Sequence, residues 1–585
     1  MRYRVITAEL VARTAVHVGW GQGDDTTDAF CRRDAQGRWL IPGSAIGGVL
    51  RTLATRLAPR IGAKPCHAIE VDERTRGDTC DCPVCHLFGS LNPKDAEGGA
   101  PTHQARAARL LVSNAYSLGL TGAAIRDMVG IDRVTGTAAR GAAAKFDLEV
   151  LPAGSRFTVR LELEDTTDQD EQLLAVALAE WVAGRAFIGG RIARGLGAFA
   201  LCALEYRDRD LGQADQLMEF LRTDEPWTLG SATPRWLDRV LAVARTHVSA
   251  AQTLDQSIAR SFVTIVFDLR AEGPLLVHDC LNAAWTGFDH APLLSGLAPG
   301  GRPVLPGSTV RGVLRSHAER IARTLSTLSA KSGDEFRRRC PACDPLASRP
   351  TTAGAATLES CDSLLRHALN VAGDVEVEPE RLCLACRLFG STRLGSRLIV
   401  EDAPIVAGTE VTYKLLDFLA IDRFTGGGRE HAKFDALALW RPHFTARLHL
   451  ENPAPWELGW LALAVRDLAD QRLSLGFGGA KGFGRISVPR WTVTVGFIDN
   501  ADFPGSLPNA AAALSASSGL YRQCARDSAD AVQRDELLVL ADSWVQAFVD
   551  QVDAFKRQEG LDRFRDSYFG TDAVQLYPRE VTLDG

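Results

Sequence analysis

The segment WLIPGSAIGGVLR (39–51) returns later in the chain as VLPGSTVRGVLR (304–315). Four further pairs follow in the same order: CPVCHLFGS (82–90) and CLACRLFGS (383–391), GIDRVTG (130–136) and AIDRFTG (420–426), AKFD (144–147 and 432–435), and FIGGRIARGLGAF (187–199) and FGGAKGFGRI (477–486). Matches that keep their order indicate an internal repeat, in which each copy is one structural unit. The distance between partners changes mainly around the cysteine-containing pair, so the sequence predicts a variable insertion there.

The repeat predicts how the 585 residues are divided. The first copy spans 1–206 and the second spans 260–497, and each is large enough to be a domain. Residues 207–259 are predicted to form a helical linker, because their apolar residues recur at helical spacing. Residues 498–585 are predicted to form a C-terminal helical extension, with its helix over roughly 528–557.

Both copies have the same predicted order of elements. Each opens with an alternating strand, continues into a helix that starts at Pro-Gly-Ser, and then has further strands, a second helix, a glycine-rich loop and a last strand. The serine is predicted to cap the first helix. This order predicts an α+β fold, with two tandem ferredoxin-like (RRM-like) units, a topology whose sheets often bind single-stranded RNA.

Net charge and the distribution of apolar residues limit which partners and which cellular location we expect. The formal net charge of −6 argues against nucleic-acid binding driven by overall charge, although it permits a local basic groove. No stretch approaches the roughly 20 apolar residues that span a bilayer. The first residues alternate like a strand and lack the apolar core of a signal peptide, so we expect a cytoplasmic protein that does not bind membranes.

Nine of the thirteen cysteines fall into two groups with the spacing of metal ligands. The predicted zinc ligands are Cys66, Cys80, Cys82 and Cys85 in the first copy, and Cys340, Cys343, Cys383 and Cys386 in the second. Cys361 is a spare, and His67 or His86 could replace one cysteine of the first group. Four thiolates form a closed tetrahedral site, so both zinc ions are predicted to be structural rather than catalytic.

The ordered motifs together resemble the RAMP superfamily of CRISPR-associated proteins, in its backbone-subunit branch. Two such units in one chain are similar to the fused backbone subunits of type III systems, notably subtype III-D-like ones. The resemblance implies binding to guide RNA (crRNA) and to complementary target RNA. It also implies assembly with further backbone subunits, a large signalling subunit and a small subunit. Many members of the family cleave the target RNA.

Several basic and hydroxyl side chains are candidates for binding RNA. They lie in the glycine-rich loops and at the starts of the Pro-Gly-Ser helices and along them. Others lie at the base of a protruding hairpin, known as the thumb, that the resemblance implies. The candidates are Arg191, Arg194, Lys481, Arg485, Ser44, Ser308, Arg51, Arg311, Arg315, Arg133, Lys145, Arg423 and Lys433. Glycines allow close approach to phosphate, and helix starts attract it. Plain turns, ordinary caps and solvated charges are the alternatives, and Asp132 and Asp422 could pair with the adjacent arginines.

The resemblance places a catalytic aspartate in the loop between the first strand and the Pro-Gly-Ser helix. Asp28 is the best match in the first copy, with Asp24 and Asp25 as alternatives and Asp34 as a structural residue. Asp289 is the match in the second copy, and the adjacent His290 could act as an acid or base. RNA supplies its own nucleophile, the 2′-OH, so one positioned carboxylate with Mg²⁺ or Mn²⁺ could suffice for cleavage.

Three alternative functions would each require a different set of motifs. A purely structural subunit would keep every motif except the loop aspartates. A nuclease that processes guide RNA would more naturally use a histidine near the glycine-rich loop, and residues 185–200 and 475–490 contain none. The all-cysteine ligand sets argue against an unrelated zinc enzyme. The chain has no GGDD or Walker motif, so a signalling cyclase or an ATPase is excluded.

Overall fold

The computed structural model describes most of both copies. The described residues are 2–21, 23–25, 27–66, 80, 82–90, 105–133, 136–139, 145–248, 257–295, 301–329, 336, 339–346, 360–368, 377–502 and 516–556. His67 lies outside them, as does the last part of the predicted C-terminal extension. Unit 1 here means the described residues up to 248, and unit 2 means those from 257 onward.

Unit 1 contains six main strands and three main helices. They are β1 (Arg2–Ala12), α1 (Gly43–Leu57), β2 (Leu110–Val112), β3 (Ala124–Val129), β4 (Lys145–Val150), β5 (Arg156–Glu164), α2 (Asp168–Val182), β6 (Phe199–Asp210) and α3 (Trp236–Thr246). Four strands form an antiparallel sheet in the order β2-β5-β1-β6. Strands β3 and β4 form a separate hairpin, called hairpin 1.

Unit 2 repeats this arrangement and extends it. Its main elements are β7 (Ser261–Ala271), α4 (Gly307–Ser329), β8 (Leu398–Val400), β9 (Tyr413–Ile421), β10 (Gly428–Trp440), β11 (His443–Glu451), α5 (Pro455–Ala469), β12 (Trp491–Phe497), β13 (Ala516–Ser518), β14 (Tyr521–Asp527) and α6 (Ala531–Ala554). The sheet order is β8-β11-β7-β12, continued by β14 and β13. Strands β9 and β10 form hairpin 2. The predicted mixed α+β fold is confirmed, with the same strand order in both units.

Shorter elements connect these main ones. The short strands are Leu40–Ile41, Ala115–Tyr116, Pro274–Leu275, Leu294–Ser295, Arg302–Leu305, Ala403–Pro404 and Ile486–Ser487. The short α-helices are Pro83–Phe88, Ala214–Arg222, Cys280–Thr286, Cys361–Ala368 and Leu384–Phe389. The 3₁₀ turns are Ala58–Ile61, Ile192–Arg194, Pro226–Thr228, Pro379–Arg381, Gly479–Lys481 and Asn500–Asp502.

Local sequence explains where the main elements start and which face they bury. In β1, alternate residues such as Ile6, Ala8 and Leu10 point into the core, as a strand with one packed face requires. Helix α2 starts at a capping box, in which the Thr167 side chain accepts from the backbone N–H of Asp170 and the Asp170 carboxylate accepts from that of Thr167.

A further helix covers the second helix of each unit. Helix α3 packs on α2 and helix α6 packs on α5. The α5–α6 contact is close, because a Cβ on Gly459 would lie 2.0 Å from the Trp544 carbonyl oxygen. Trp460 stacks on Phe548 at 5.0 Å between ring centroids. The helix predicted over roughly 528–557 therefore packs on the rest of unit 2.

The two units share a core rather than being joined by a free linker. Phe262 and Tyr521 of unit 2 lie in the hydrophobic cluster of unit 1. The Arg185 guanidinium of unit 1 lies over both of these rings. Strand β6 continues past residue 206, and Arg245 of α3 donates to the carbonyl oxygen of Gly519. Among the helices that the structure describes, none is long and apolar enough to cross a membrane.

Candidate functional sites

The first cysteine group forms a compact cluster at one end of unit 1. Cys66, Cys80, Cys82 and Cys85 have sulfur atoms that all lie within 4.8 Å of one another. Cys82 caps the short helix Pro83–Phe88, where its sulfur accepts from the backbone N–H of Cys85. This predicted set of ligands is confirmed as a cluster able to hold a metal ion. His86 lies elsewhere, because its Nδ1 contacts the buried Asp170 carboxylate at 2.9 Å.

The second cluster contains Cys343, Cys361, Cys383 and Cys386. The prediction that Cys340 is a ligand is wrong, and Cys361, taken as a spare, fills the fourth position. Cys340 is fully buried, and its thiol contacts the carbonyl oxygen of Ala342 at 3.2 Å. The short helix Cys361–Ala368 begins at the cluster, and the Cys361 sulfur accepts from the backbone N–H of Cys383 at 3.3 Å.

Both clusters fit a zinc ion. Zinc–sulfur bonds of 2.3 Å in a tetrahedron place the sulfur atoms ~3.8 Å apart. The sulfur–sulfur distances are close to this value: 3.4 Å for Cys66–Cys85 and 3.5 Å for Cys343–Cys386. Four thiolates leave no open position for a substrate, so the donor set favours structural zinc. Arg51 donates to the Cys85 sulfur at 3.5 Å, so this candidate RNA contact also touches the cluster.

The two predicted loop aspartates occupy equivalent places in the fold. In unit 1, the backbone N–H of Asp28 donates to the carboxylate of Asp147, and the N–H of Asp147 donates to the carboxylate of Asp28, both at 2.9 Å. In unit 2, Asp289 and Asp435 form the same pair of reciprocal bonds at 2.8 and 2.9 Å. Each bond uses one carboxylate oxygen, so these reciprocal bonds leave the second oxygen of each aspartate unused.

The partners Asp147 and Asp435 were not predicted as site residues. They are the last residues of the two AKFD motifs, on strands β4 and β10. The repetition of AKFD was visible in the sequence, but only the fold shows that its aspartate faces the loop. A single parallel bridge next to each pair, Ala29 with Leu148 in unit 1 and His290 with Ala436 in unit 2, holds the loop against the hairpin.

The other candidates near these pairs have structural contacts. Asp24 accepts from the backbone N–H of Thr27, so it closes a turn of the loop. Asp34 accepts from the backbone N–H groups of Gln36 and Arg38, which agrees with its predicted structural role. The His290 ring packs 4.7 Å from Phe477, measured between centroids.

Basic residues of the glycine-rich loops lie over the phenylalanine next to each aspartate pair. Arg191 lies 4.9 Å and Arg194 6.0 Å from the ring centroid of Phe146. In unit 2, the Lys481 ammonium lies 5.6 Å from the ring of Phe434. A cation–π interaction thus holds a loop cation against the phenylalanine that precedes Asp147 or Asp435 on its strand. Arg485, at the end of the second loop, is exposed.

The starts of the Pro-Gly-Ser helices differ from the prediction. Pro42, not Ser44, is the N-cap of α1, and no side chain caps it there; Ser44 is exposed one residue inside the helix. The backbone N–H of Gly43 donates instead to the side-chain oxygen of Asn114. In α4 the N–H of Gly307 donates to the buried Asp402 carboxylate at 2.9 Å. An anion already occupies that helix start, which disfavours the predicted phosphate contact at the half-buried Ser308.

The contact between the units brings together arginines from both copies. Burial lowers the pKa of Arg311 to about 9, and the charges of Arg315 and Arg194 act in the same direction. Burial also lowers the pKa of Arg194, again helped by neighbouring arginines. Burial is the larger cause of both shifts, and the mutual repulsion of the arginines adds to it. A phosphate placed here would be stabilised.

Two of the predicted RNA contacts in this region are structural instead. Arg315 is buried, and its Nε donates to Glu319 at 2.8 Å. Arg133 of hairpin 1 donates to the same carboxylate at 2.9 Å. The packing of unit 2 against hairpin 1 brings Arg133 to Glu319, whereas Arg315 pairs with Glu319 four residues along the same helix.

The hairpins carry the remaining candidates. Lys145 lies 3.9 Å from Asp127 on hairpin 1, and Lys433 lies 3.3 Å from Asp417 at the equivalent place on hairpin 2. Arg423 is exposed at the tip of hairpin 2. The Asp422 carboxylate accepts from backbone N–H groups of the turn, which lowers its pKa. It therefore shapes the turn by its backbone contacts.

Comparison with models of protein families shows the family to which the chain belongs. The model of the RAMP superfamily matches residues 9–200 and 290–487, which together are more than half of the chain. The chain belongs to the RAMP superfamily. The two matched regions correspond to two fused RAMP units, each with its own aspartate pair and glycine-rich loop. Membership in this superfamily assigns a CRISPR-associated, RNA-binding role. No curated protein matches the chain.

Proposed function

We propose that this RAMP protein is a backbone subunit of a type III CRISPR effector complex, similar to the fused subunits of subtype III-D. It binds guide RNA together with the other effector subunits in the cytoplasm. It cleaves complementary target RNA at two places, one in each unit, with Asp28 and Asp289 as the catalytic residues and Mg²⁺ or Mn²⁺ as the cofactor. The strand order supports a ferredoxin-like assignment for each unit, because a split βαβ unit has this antiparallel order.

A group of arginines at the contact between the units supports RNA binding there. Arg191 and Arg194 of unit 1 and Arg311 of unit 2 lie in one region although 117 residues separate Arg194 from Arg311 (311 minus 194). Phosphates neutralise such charge, and backbone contacts hold a strand without reading its sequence. A net charge of −6 is compatible with this, because a small group of arginines can form a local basic surface on an acidic chain.

The repeated aspartate pair is the observation that carries the proposal of cleavage. Each pair combines an exposed loop carboxylate with a half-buried hairpin carboxylate, and a basic residue of the glycine-rich loop lies over the phenylalanine that precedes the hairpin carboxylate. Carboxylate oxygens are the ligands that Mg²⁺ prefers, and magnesium usually takes one or two of them. A bound ion or the carboxylate itself would activate the 2′-OH, and the loop cation would stabilise charge on the phosphate.

Cleavage by the reconstituted complex tests the proposal. With guide RNA and labelled target, we expect Asp28→Asn to remove one product and Asp289→Asn to remove another, each with a ~10²–10⁴-fold loss of rate at its own site. Asp25→Asn is the matched control, because Asp25 is an exposed aspartate of the same loop outside the pair. EDTA should abolish both cuts. If the complex assembles and all variants cut as the wild type does, the chain is a non-catalytic RNA-binding scaffold.

The hairpin aspartates should act as positioning residues. Asp147→Asn keeps the shape of the side chain but weakens its bond from the Asp28 N–H, because a neutral amide oxygen is a poorer acceptor than a carboxylate. We expect kcat at the unit 1 site to fall ~10-fold or more while guide-RNA affinity is unchanged, since a small misplacement of a catalytic group is costly. Asp435→Asn should do the same at the unit 2 site only. Loss of both cuts from either single variant would contradict this assignment.

A further inference from the structure

The two units meet head to tail, through different surfaces. Unit 1 contributes hairpin 1 and the glycine-rich loop, and unit 2 contributes the start of α4 and the residues after β8. The fit is close: Gly195 has φ +109°, and a Cβ there would lie 2.3 Å from an Asp402 carboxylate oxygen and 3.0 Å from the Cα of Gly307. Such a contact is heterologous, so one surface of each kind remains unused at the two ends of the chain.

Three ion pairs join the units at this contact, and all have the same polarity. Two further pairs between the units, Arg56–Glu451 and Arg60–Asp502, lie elsewhere and share that polarity. The arginines belong to unit 1 and the carboxylates to unit 2. The three pairs at this contact are Arg13–Glu401 at 2.9 Å, Arg126–Asp402 at 2.6 Å and Arg133–Glu319 at 2.9 Å. All three carboxylates are buried. Removing either partner of such a pair leaves a buried charge without compensation.

The unused surface of unit 1 has neutral residues where unit 2 has these carboxylates. Asn114 occupies the place of Asp402, because each accepts from the first N–H of the Pro-Gly-Ser helix. Ser113 corresponds to Glu401, because their N–H groups donate to the equivalent carbonyls of Arg160 and Arg447. Thr55 corresponds to Glu319 in the aligned helices that start after PGS.

On the unused surface of unit 2, two of the three positions equivalent to the arginines of unit 1 hold other residues. Glu272 corresponds to Arg13, because their N–H groups donate to the equivalent carbonyls of Arg485 and Ala198. Leu416 takes the place of Arg126: it pairs with Ala436 in hairpin 2 as Arg126 pairs with Leu148 in hairpin 1. Only the third arginine is retained, as Arg423, which follows Asp422 as Arg133 follows Asp132.

We propose that the free end of unit 2 binds a different RAMP-type chain and not a second copy of this one. A second copy would place Ser113, Asn114 and Thr55 opposite Glu272, Leu416 and Arg423. No ion pair would form, and two charges would be buried without partners, which selects against self-association. The surface instead fits a partner unit with a cation opposite Glu272, an apolar side chain opposite Leu416 and a carboxylate opposite Arg423.

Exposed apolar residues at the same end support a protein partner. Leu419, Ile421 and Phe424 of hairpin 2 are 52%, 58% and 99% exposed. A contiguous apolar surface of this kind marks an interaction site. The equivalent hairpin 1 already contacts unit 2, where Asp127 lies 3.4 Å from the N–H of Cys280. The inference concerns assembly alone and does not depend on RNA cleavage.

Restoring the missing charges tests the inference with the full-length chain. One variant, Thr55→Glu with Asn114→Asp, recreates two carboxylates on the free surface of unit 1. The other, Leu416→Arg, recreates an arginine on hairpin 2. We expect the wild type to stay monomeric in sedimentation velocity and native mass spectrometry. We expect the two variants, mixed, to form a 1:1 complex at least ~10-fold tighter than any self-association of the wild type. Thr55→Lys with Asn114→Lys is the matched control and should not bind Leu416→Arg.

Two results would overturn the inference. One is a wild-type chain that stacks with itself at the concentrations of the assay. The other is a mixture of folded variants, with unchanged unfolding transitions, that stays monomeric. Should Leu416→Arg fail to fold, Thr55→Glu with Asn114→Asp is mixed with the wild type, whose Arg423 already offers one cation. A weaker but measurable shift toward dimer is then expected, and its absence counts against the inference.

Discussion

A Cys361→Ser variant should carry one zinc ion per chain where the wild type carries two. Cys361 supplies the fourth sulfur of the second cluster, and three thiolates with a serine hydroxyl hold zinc much less well than four thiolates. In isolated zinc-finger peptides the binding of structural zinc is worth ~10–16 kcal/mol, so its loss should unfold the segments that the cluster joins. Elemental analysis of the purified protein gives the zinc content, and thermal unfolding gives the loss of stability.

Cys340→Ser is the matched control for this variant. Cys340 is as deeply buried as the cluster cysteines and undergoes the same chemical change, but it is not a ligand. We expect it to keep two zinc ions and to lose only the modest stability that a buried polar group costs, ~1–3 kcal/mol. The reverse outcome, with zinc lost from Cys340→Ser and kept by Cys361→Ser, would restore the pairing that the C-x₂-C spacing suggests.

Replacing Glu319 with glutamine should have the second-largest effect on stability. Its fully buried carboxylate bonds to Arg133 and Arg315, and Arg323 lies 3.7 Å away. The variant keeps the shape but removes the carboxylate charge that compensates these arginines, which should cost ~3–5 kcal/mol. Denaturant unfolding of the full chain measures the loss. Asp238→Asn is the control, since the exposed Asp238–Arg235 pair is worth less than ~1 kcal/mol.

The effect of Glu319 should also depend on pH. Burial alone would raise its pKa, but Arg133 and Arg315 lower it below the ordinary glutamate value. A carboxylate with a lowered pKa stabilises the folded state above the unfolded value of ~4.3, and that contribution disappears as the pH falls through the lowered pKa. The difference between wild type and Glu319→Gln should therefore be full at neutral pH and shrink below about pH 4. A difference that is the same at all pH values would mean that packing, not charge, explains the cost.

The sequence predicted what depends on local pattern. The five repeated motifs gave the order of strands and helices, because the periods of hydrophobic residues and the Pro-Gly-Ser starts are local signals. The first cysteine cluster was predicted in full, since three of its ligands lie within six residues. Asp28 and Asp289 were matched correctly as equivalent positions, although their role in cleavage stays a prediction.

What the sequence missed depends on contacts between distant segments. Cys361 displaces Cys340 because the fold brings the start of a short helix to the cluster, which no spacing rule contains. Arg133 looks like a free cation in the sequence, and only the packing of unit 2 against hairpin 1 brings it to Glu319. The Arg315–Glu319 pair, by contrast, has i,i+4 spacing on one helix and could have been predicted. The serine of Pro-Gly-Ser is a good cap by type, but Asn114 and Asp402 reach the helix starts from another strand.

The reciprocal aspartate bonds have a consequence for where a strand is cut. Because each loop aspartate is tied to a hairpin strand by two hydrogen bonds, the carboxylate keeps its place relative to the hairpin when the rest of the loop moves. In a cleaving complex the hairpin would thus fix the position of the cut, and the loop would only supply the carboxylate. Changes in loop length upstream of Asp28 would then alter the rate of a cut but not the nucleotide at which it falls.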